Sequence, residues 1–168
     1  EKKFMDKKKS FHFISGFSYG FGLSFLILIW IKEPFFVDSH SRNIYFISYL
    51  LVIYCSIYYG ISFIILSFIQ NNISKLLLIP ILFVTCEILR EIVGYGFPWI
   101  TFALISSGNS LLLSLSYYFG TYGLSYIIIL VLLFPASIIL ILKKKYSNFI
   151  LKTYISFTSI IILLSIAL

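Results

Sequence analysis

Charge is what this chain has least of. Only 11% of its 168 residues are charged, six Asp and Glu against thirteen Lys and Arg, for a net charge of +7. A soluble globular domain carries about 25% charged residues. With 60% hydrophobic residues and a mean hydropathy of +1.02, that class is excluded. Cysteine is scarce as well: Cys55 and Cys86 lie inside apolar runs, without the spacing of a metal site or a redox pair. The thiolate is the reactive form, and apolar burial disfavours it. Cys86 therefore reads as a small hydrophobe, although Glu87 is next to it in sequence. His12 and His40 are isolated. There is no Gly-rich phosphate loop, no Ser/His/Asp set and no paired-carboxylate signature. The sequence predicts no catalytic residue, no metal and no cofactor among these residues. The lysines sit in short clusters between apolar runs, which excludes a nucleic-acid-binding face and describes membrane topology instead.

What the chain has in abundance is apolar runs. Residues 11–31 contain one His and no charge, enough to cross a hydrocarbon core of roughly 30 Å. Further runs lie near 44–69, 76–93, 111–142 and 153–168. Pro80 is expected in the first turn of the third, where a missing N–H costs little. The fourth is too long for one straight span, so Gly120-Thr-Tyr-Gly123 is expected to divide it. That leaves a short surface or re-entrant piece and a span over Leu124–Leu142. Gly16, Gly20 and Gly22 mark a helical face suited to close packing. The expected fold is an all-α polytopic membrane bundle of about five transmembrane helices with an outward-facing loop or re-entrant segment. The first apolar run is too long for a signal-peptide h-region and lacks a small-residue cleavage site. The chain starts at Glu1, and its last run stops at Leu168 without a flank. It reads as a fragment.

The Lys/Arg bias of short loops sets orientation. With the N-terminus inside, the cytoplasmic segments hold Lys2, Lys3, Lys7, Lys8, Lys9, Lys75, Lys143, Lys144, Lys145 and Lys152. The other side holds Lys32 and Arg42, offset by Glu33 and Asp38. The segment 94–110 then faces outward.

Charges inside apolar spans are costly and mark functional candidates. Glu87, Arg90 and Glu91 are spaced i, i+3 and i+4, so Glu87 faces both others on a helix. If Gly94 ends that helix, Glu87 lies about 10 Å below its end, and Arg90 is near enough to the interface to snorkel. Two readings stand side by side: an intrahelical ion pair fixing helix rotation, or an outward-facing site in which Arg90 holds a lipid phosphate and Glu87 orients it. Gly94-Tyr95-Gly96-Phe97-Pro98-Trp99 has the composition of an interfacial chain reversal with aromatic anchors.

Taken in order, these pieces resemble the N-terminal membrane part of bacterial apolipoprotein N-acyltransferases. Gly16-Phe-Ser-Tyr19-Gly20-Phe-Gly22 and Trp30 resemble that family's Gly/aromatic span ending in Trp. Pro80, Glu87-Ile-Leu-Arg90 and Gly96-Phe97-Pro98-Trp99 follow, then Gly120-Thr-Tyr122-Gly123-Leu124-Ser125-Tyr126. The resemblance covers the chain from about Phe11. Two departures are Glu91, where a small residue is usual, and Thr101-Phe-Ala-Leu104 in place of a Gly-Tyr. The resemblance implies an enzyme of the bacterial inner membrane. It takes an acyl chain from a phospholipid onto a Cys, then passes it to the N-terminal cysteine amine of a diacylglyceryl lipoprotein. It also implies that the Cys, with its Glu and Lys, belongs to a nitrilase-like outer domain, so that these 168 residues alone are inactive. What remains for this part is lipid access: Arg90 on the headgroup, Glu87 orienting Arg90, and Tyr95, Pro98 and Trp99 at the acyl entrance. With an inside N-terminus the last span heads outward, so an outer domain would emerge on the Trp99 side.

The alternatives are a small transporter subunit, a scaffold of the bilayer, or another lipid-handling membrane protein. A transporter predicts a polar midplane site, whereas these charges cluster near one surface. A scaffold predicts no ordered motif set.

Overall fold

The computed structural model describes residues 2–37, 40–94, 100–142 and 149–167. These form seven α-helices: α1 Lys2–Leu28, α2 Pro34–Val37, α3 Ile47–Ser67, α4 Asn72–Val93, α5 Ser110–Leu132, α6 Phe134–Leu142 and α7 Phe149–Ala167. Short 3-10 turns cover Ile29–Lys32, Arg42–Ile44 and Phe102–Gly108. There is no strand among the described residues, so the all-α membrane fold expected from composition is the fold observed. Lys9–Val37, Arg42–Ser67 and Ser110–Leu132 are long and apolar enough to cross a membrane, and Leu151–Leu163 is a shorter apolar helix. Large side chains such as Phe11, Leu26, Ile92, Tyr117 and Leu163 are exposed. In water that much apolar surface would aggregate; against lipid tails it is the expected exterior. The chain divides into two compact units, Glu1–Gln70 and Asn71–Leu168.

In the first unit α1 packs along α3. The packing is close because glycine faces it: a Cβ on Gly16 would lie 2.5 Å from the Tyr59 carbonyl oxygen, and one on Gly20 would lie 2.6 Å from the Tyr59 ring. Gly60 returns the favour, its missing Cβ leaving room for Phe13. Gly22, third of the sequence trio, meets nothing and lies outside the seam. Tyr59 is buried, and Tyr19 meets it edge-on with ring centroids 5.7 Å apart. The buried serines of α3 satisfy themselves locally, Ser56 Oγ donating to the Val52 carbonyl at 2.6 Å and Ser62 Oγ to that of Tyr58 at 3.0 Å. Back-bonding of this kind lets a hydroxyl sit where no water reaches.

The second unit begins where Asn71 caps α4, its Oδ1 accepting from the Ile73 N–H at 3.0 Å. Polar Asn71 and Asn72 thus start the helix before the apolar run does. Pro80 is consequently in the helix interior, not in its first turn as the apolar boundary implied, and the carbonyl one turn earlier loses its helical donor. Leu76, Leu130 and Tyr154 form a small core with Leu77, Tyr126 and Leu133 against it. The long apolar run breaks twice. The expected interruption at 120–123 is a kink at Gly120, with φ 67° and ψ 177°. A second break separates α5 from α6 at Leu133, because Pro135 has no N–H and its ring crowds the preceding turn. Leu124–Leu142 is therefore two helices rather than one. Only glycine occupies the Gly120 conformation without strain, at a cost of about 1–3 kcal/mol for other residues. Gly120→Ala is expected to lower the thermal midpoint of the detergent-solubilised protein. A higher midpoint would mean that a straightened helix, worth about 1 kcal/mol in propensity, outweighs the kink.

Candidate functional site

Gly94 ends α4, its N–H bonding the Arg90 carbonyl at 2.8 Å. When the described chain resumes at Ile100, it is extended: Thr101 has φ −110° and ψ 140°. Across one extended residue, the preceding carbonyl and the following amide point the same way. At Thr101 both are met by α4. The Arg90 Nη2 donates to the Ile100 carbonyl at 2.6 Å, and the Phe102 N–H donates to Glu87 Oε1 at 2.7 Å. An acid and a base one helical turn apart thus grip a donor and an acceptor two residues apart, as a neighbouring strand would. The next amide, Ala103 N–H, donates to Ser125 Oγ of α5 at 3.0 Å. Phe102 stacks on Phe83 of α4 with centroids 5.9 Å apart.

Both charged groups are deeply buried, Arg90 1% and Glu87 2% exposed. A buried charge is tolerated when an opposite charge and hydrogen bonds compensate it. Arg90 is near enough for its charge to be felt at the Glu87 carboxylate, and Ser125 stands beside that carboxylate. Each charge-assisted bond to the backbone is worth about 1.5–3 kcal/mol. Glu87 Oε2 has no hydrogen-bond partner among the described residues. After Thr101 the segment turns into the 3-10 stretch Phe102–Gly108, in which Ser106 Oγ donates to the Ala103 carbonyl at 2.6 Å. Asn109 ends it. Its Oδ1 caps α5 by accepting from the Leu112 N–H at 2.9 Å, and its Nδ2 donates to the Ser165 carbonyl of α7 at 2.8 Å.

The residues singled out from sequence divide accordingly. Glu87 and Arg90 come together around one backbone segment. Arg90 turns inward rather than snorkelling, and Glu91 faces outward, exposed. Tyr95, Pro98 and Trp99 lie outside the described residues. Ser125 was missed as a site residue. The signal was present, since Ser125 stands in the Gly-x-Tyr-Gly-Leu-Ser block, but a serine in an apolar helix carries no charge to attract notice. Cys55 and Cys86 are both buried. No group of three or more His, Cys, Asp or Glu among the described residues could hold a metal ion. What the arrangement can do is fix a main-chain segment within an apolar bundle.

The chain resembles known proteins over the stretch that contains this clamp. A model of the apolipoprotein N-acyltransferase N-terminal domain matches residues 4–134. The apolipoprotein N-acyltransferase of Aquifex aeolicus (strain VF5) is 32% identical over 131 residues, covering 74% of this chain and 28% of that protein. The chain thus spans under a third of the curated relative it matches. No solved structure matches it significantly. Glu87, Arg90 and Ser125 all fall inside the matched residues, and a domain match over most of the length places the chain in the apolipoprotein N-acyltransferase N-terminal domain family.

Proposed function

We propose that this chain is the membrane part of an enzyme that moves an acyl chain from a phospholipid to the N-terminal cysteine amine of bacterial lipoproteins. It sits in the inner membrane with its N-terminal lysines in the cytoplasm. Family membership supports the reaction class, and the Lys/Arg distribution supports the orientation. The observation that carries the reading is the convergence of Glu87, Arg90 and Ser125 on residues 100–103. Those residues come from two separate motif blocks, and the segment they hold directly follows Pro98-Trp99. In this reading Glu87, Arg90 and Ser125 are positioning residues. They fix the chain that carries Tyr95, Pro98 and Trp99 to the acyl entrance, while the nucleophile lies outside these 168 residues. Positioning of this kind matters because small displacements of a bound substrate cost large factors in rate.

The test is to express the intact gene product in a bacterium depleted of its own N-acyltransferase. The N-terminal lipopeptide of a lipoprotein is then weighed by mass spectrometry. Conversion from two acyl chains to three is expected, with none from the 168 residues alone. Lipopeptides that stay diacylated with the intact, membrane-inserted product would rule the reading out.

A further inference from the structure

The Asn72 end of α4 is about 27 Å along the helix from Arg90, at the opposite end from the clamp. There the surfaces of α4 and α6 border an open-sided groove of about 300 Å³. Leu76, Ala136 and Leu140 are among its apolar lining, and Asn72 and Lys75 are its polar residues. Asn72 and Lys75 are spaced i, i+3 and so share one face of α4. Lys75 is half-buried, and its ammonium has no hydrogen bond or ion pair among the described residues. Lys75 stands near the start of α4, at the end read as cytoplasmic, where a lysine at the membrane surface attracts an anionic headgroup, and an anion joined to a hydrocarbon chain would meet both the ammonium and the groove. A zwitterionic headgroup would bring its own cation to Lys75 with the phosphate, and an anionic one would not. A volume of this size lies at the low end for small-ligand sites and suits a stretch of one acyl chain rather than a whole lipid.

We propose that this groove holds an anionic membrane phospholipid, one acyl chain against Leu76, Ala136 and Leu140 and its phosphate on Lys75. This lipid sits at the opposite end of α4 from the clamp, so it is a bound structural lipid and not the acyl donor. The proposal does not rest on the acyl-transfer reading, because its readout is lipid retention.

The experiment is native mass spectrometry of the intact chain from detergent micelles, titrated with phosphatidylglycerol or with phosphatidylcholine. Phosphatidylglycerol is expected to be retained preferentially as a single adduct. Lys75→Gln is expected to weaken that retention about fivefold, the factor for one Lys at an anionic surface, and Lys75→Arg to restore it. Ala136→Trp fills the groove without touching the charge and is expected to weaken retention as well. Lys152→Gln, on the exposed side of α7, is expected to leave it unchanged. Circular dichroism confirms that each variant keeps its helix content. If Ala136→Trp does not fold, the three lysine variants still decide the matter. Equal retention of the two lipids would overturn the proposal, as would equal losses in Lys75→Gln and Lys152→Gln. Release of the lipid by millimolar inorganic phosphate would also overturn it, by showing an ion site instead.

Discussion

Arg90→Met is expected to lower acyl transfer by the intact enzyme at least tenfold and to destabilise the membrane part by about 3 kcal/mol, the lower end for removing one member of a buried charge pair. Two groups are orphaned at once: the Ile100 carbonyl loses its donor, and Glu87 loses the positive charge beside it. If Arg90 positions the segment, hydrogen exchange at the Phe102 and Ala103 amides should quicken in the variant. If it only held a headgroup, those amides would stay protected and the phospholipid KM would rise alone. Full activity with unchanged exchange would remove Arg90 from both roles. Glu87→Gln added to Arg90→Met should cost less than the two single changes together, because residues in one network couple by about 0.5–3 kcal/mol.

Gly16→Leu is expected to have the second large effect, opening the seam between α1 and α3. The obstruction is the Tyr59 carbonyl oxygen, 2.5 Å from where a Cβ would stand, with Phe63 Cβ at 2.7 Å. Neither is the far end of a flexible side chain, so the helices themselves must separate. Overpacking costs about 1–3 kcal/mol and occasionally more. Even alanine is expected to destabilise here, although it gains about 1 kcal/mol of helix propensity over glycine. Gly22→Ala is the contrast: nothing lies within 4 Å of its Cβ, so the propensity gain stands alone and the protein becomes slightly more stable. Thermal unfolding in detergent reads all three variants. A Gly16→Leu protein as stable as the parent would show that the helices do not approach at this point.

The fold was legible because composition alone forces helices on a chain of this hydropathy. What period and composition could not supply was where helices stop. Pro80 and Pro135 are both visible in the sequence, yet their positions depend on where capping starts a helix, and Asn71 starts α4 before its apolar run. Gly16 and Gly22 look alike in sequence and differ only in what α3 places against them. At the site, Glu87 and Arg90 stood out because buried charge is costly. Their partners could not, because those are peptide groups: the Ile100 carbonyl and the Phe102 amide bear no letter that distinguishes them. Ser125 was hidden for a similar reason, its bond being to the main chain of Ala103.

A grip on peptide groups is indifferent to the side chains those groups carry. Glu87, Arg90 and Ser125 hold the path of residues 100–103 through its peptide groups, so a change of side chain there acts on packing, as at Phe102 against Phe83, and leaves the three bonds in place. The limit is set by the amides themselves: proline at 102 or 103 would erase a handle that no other substitution touches.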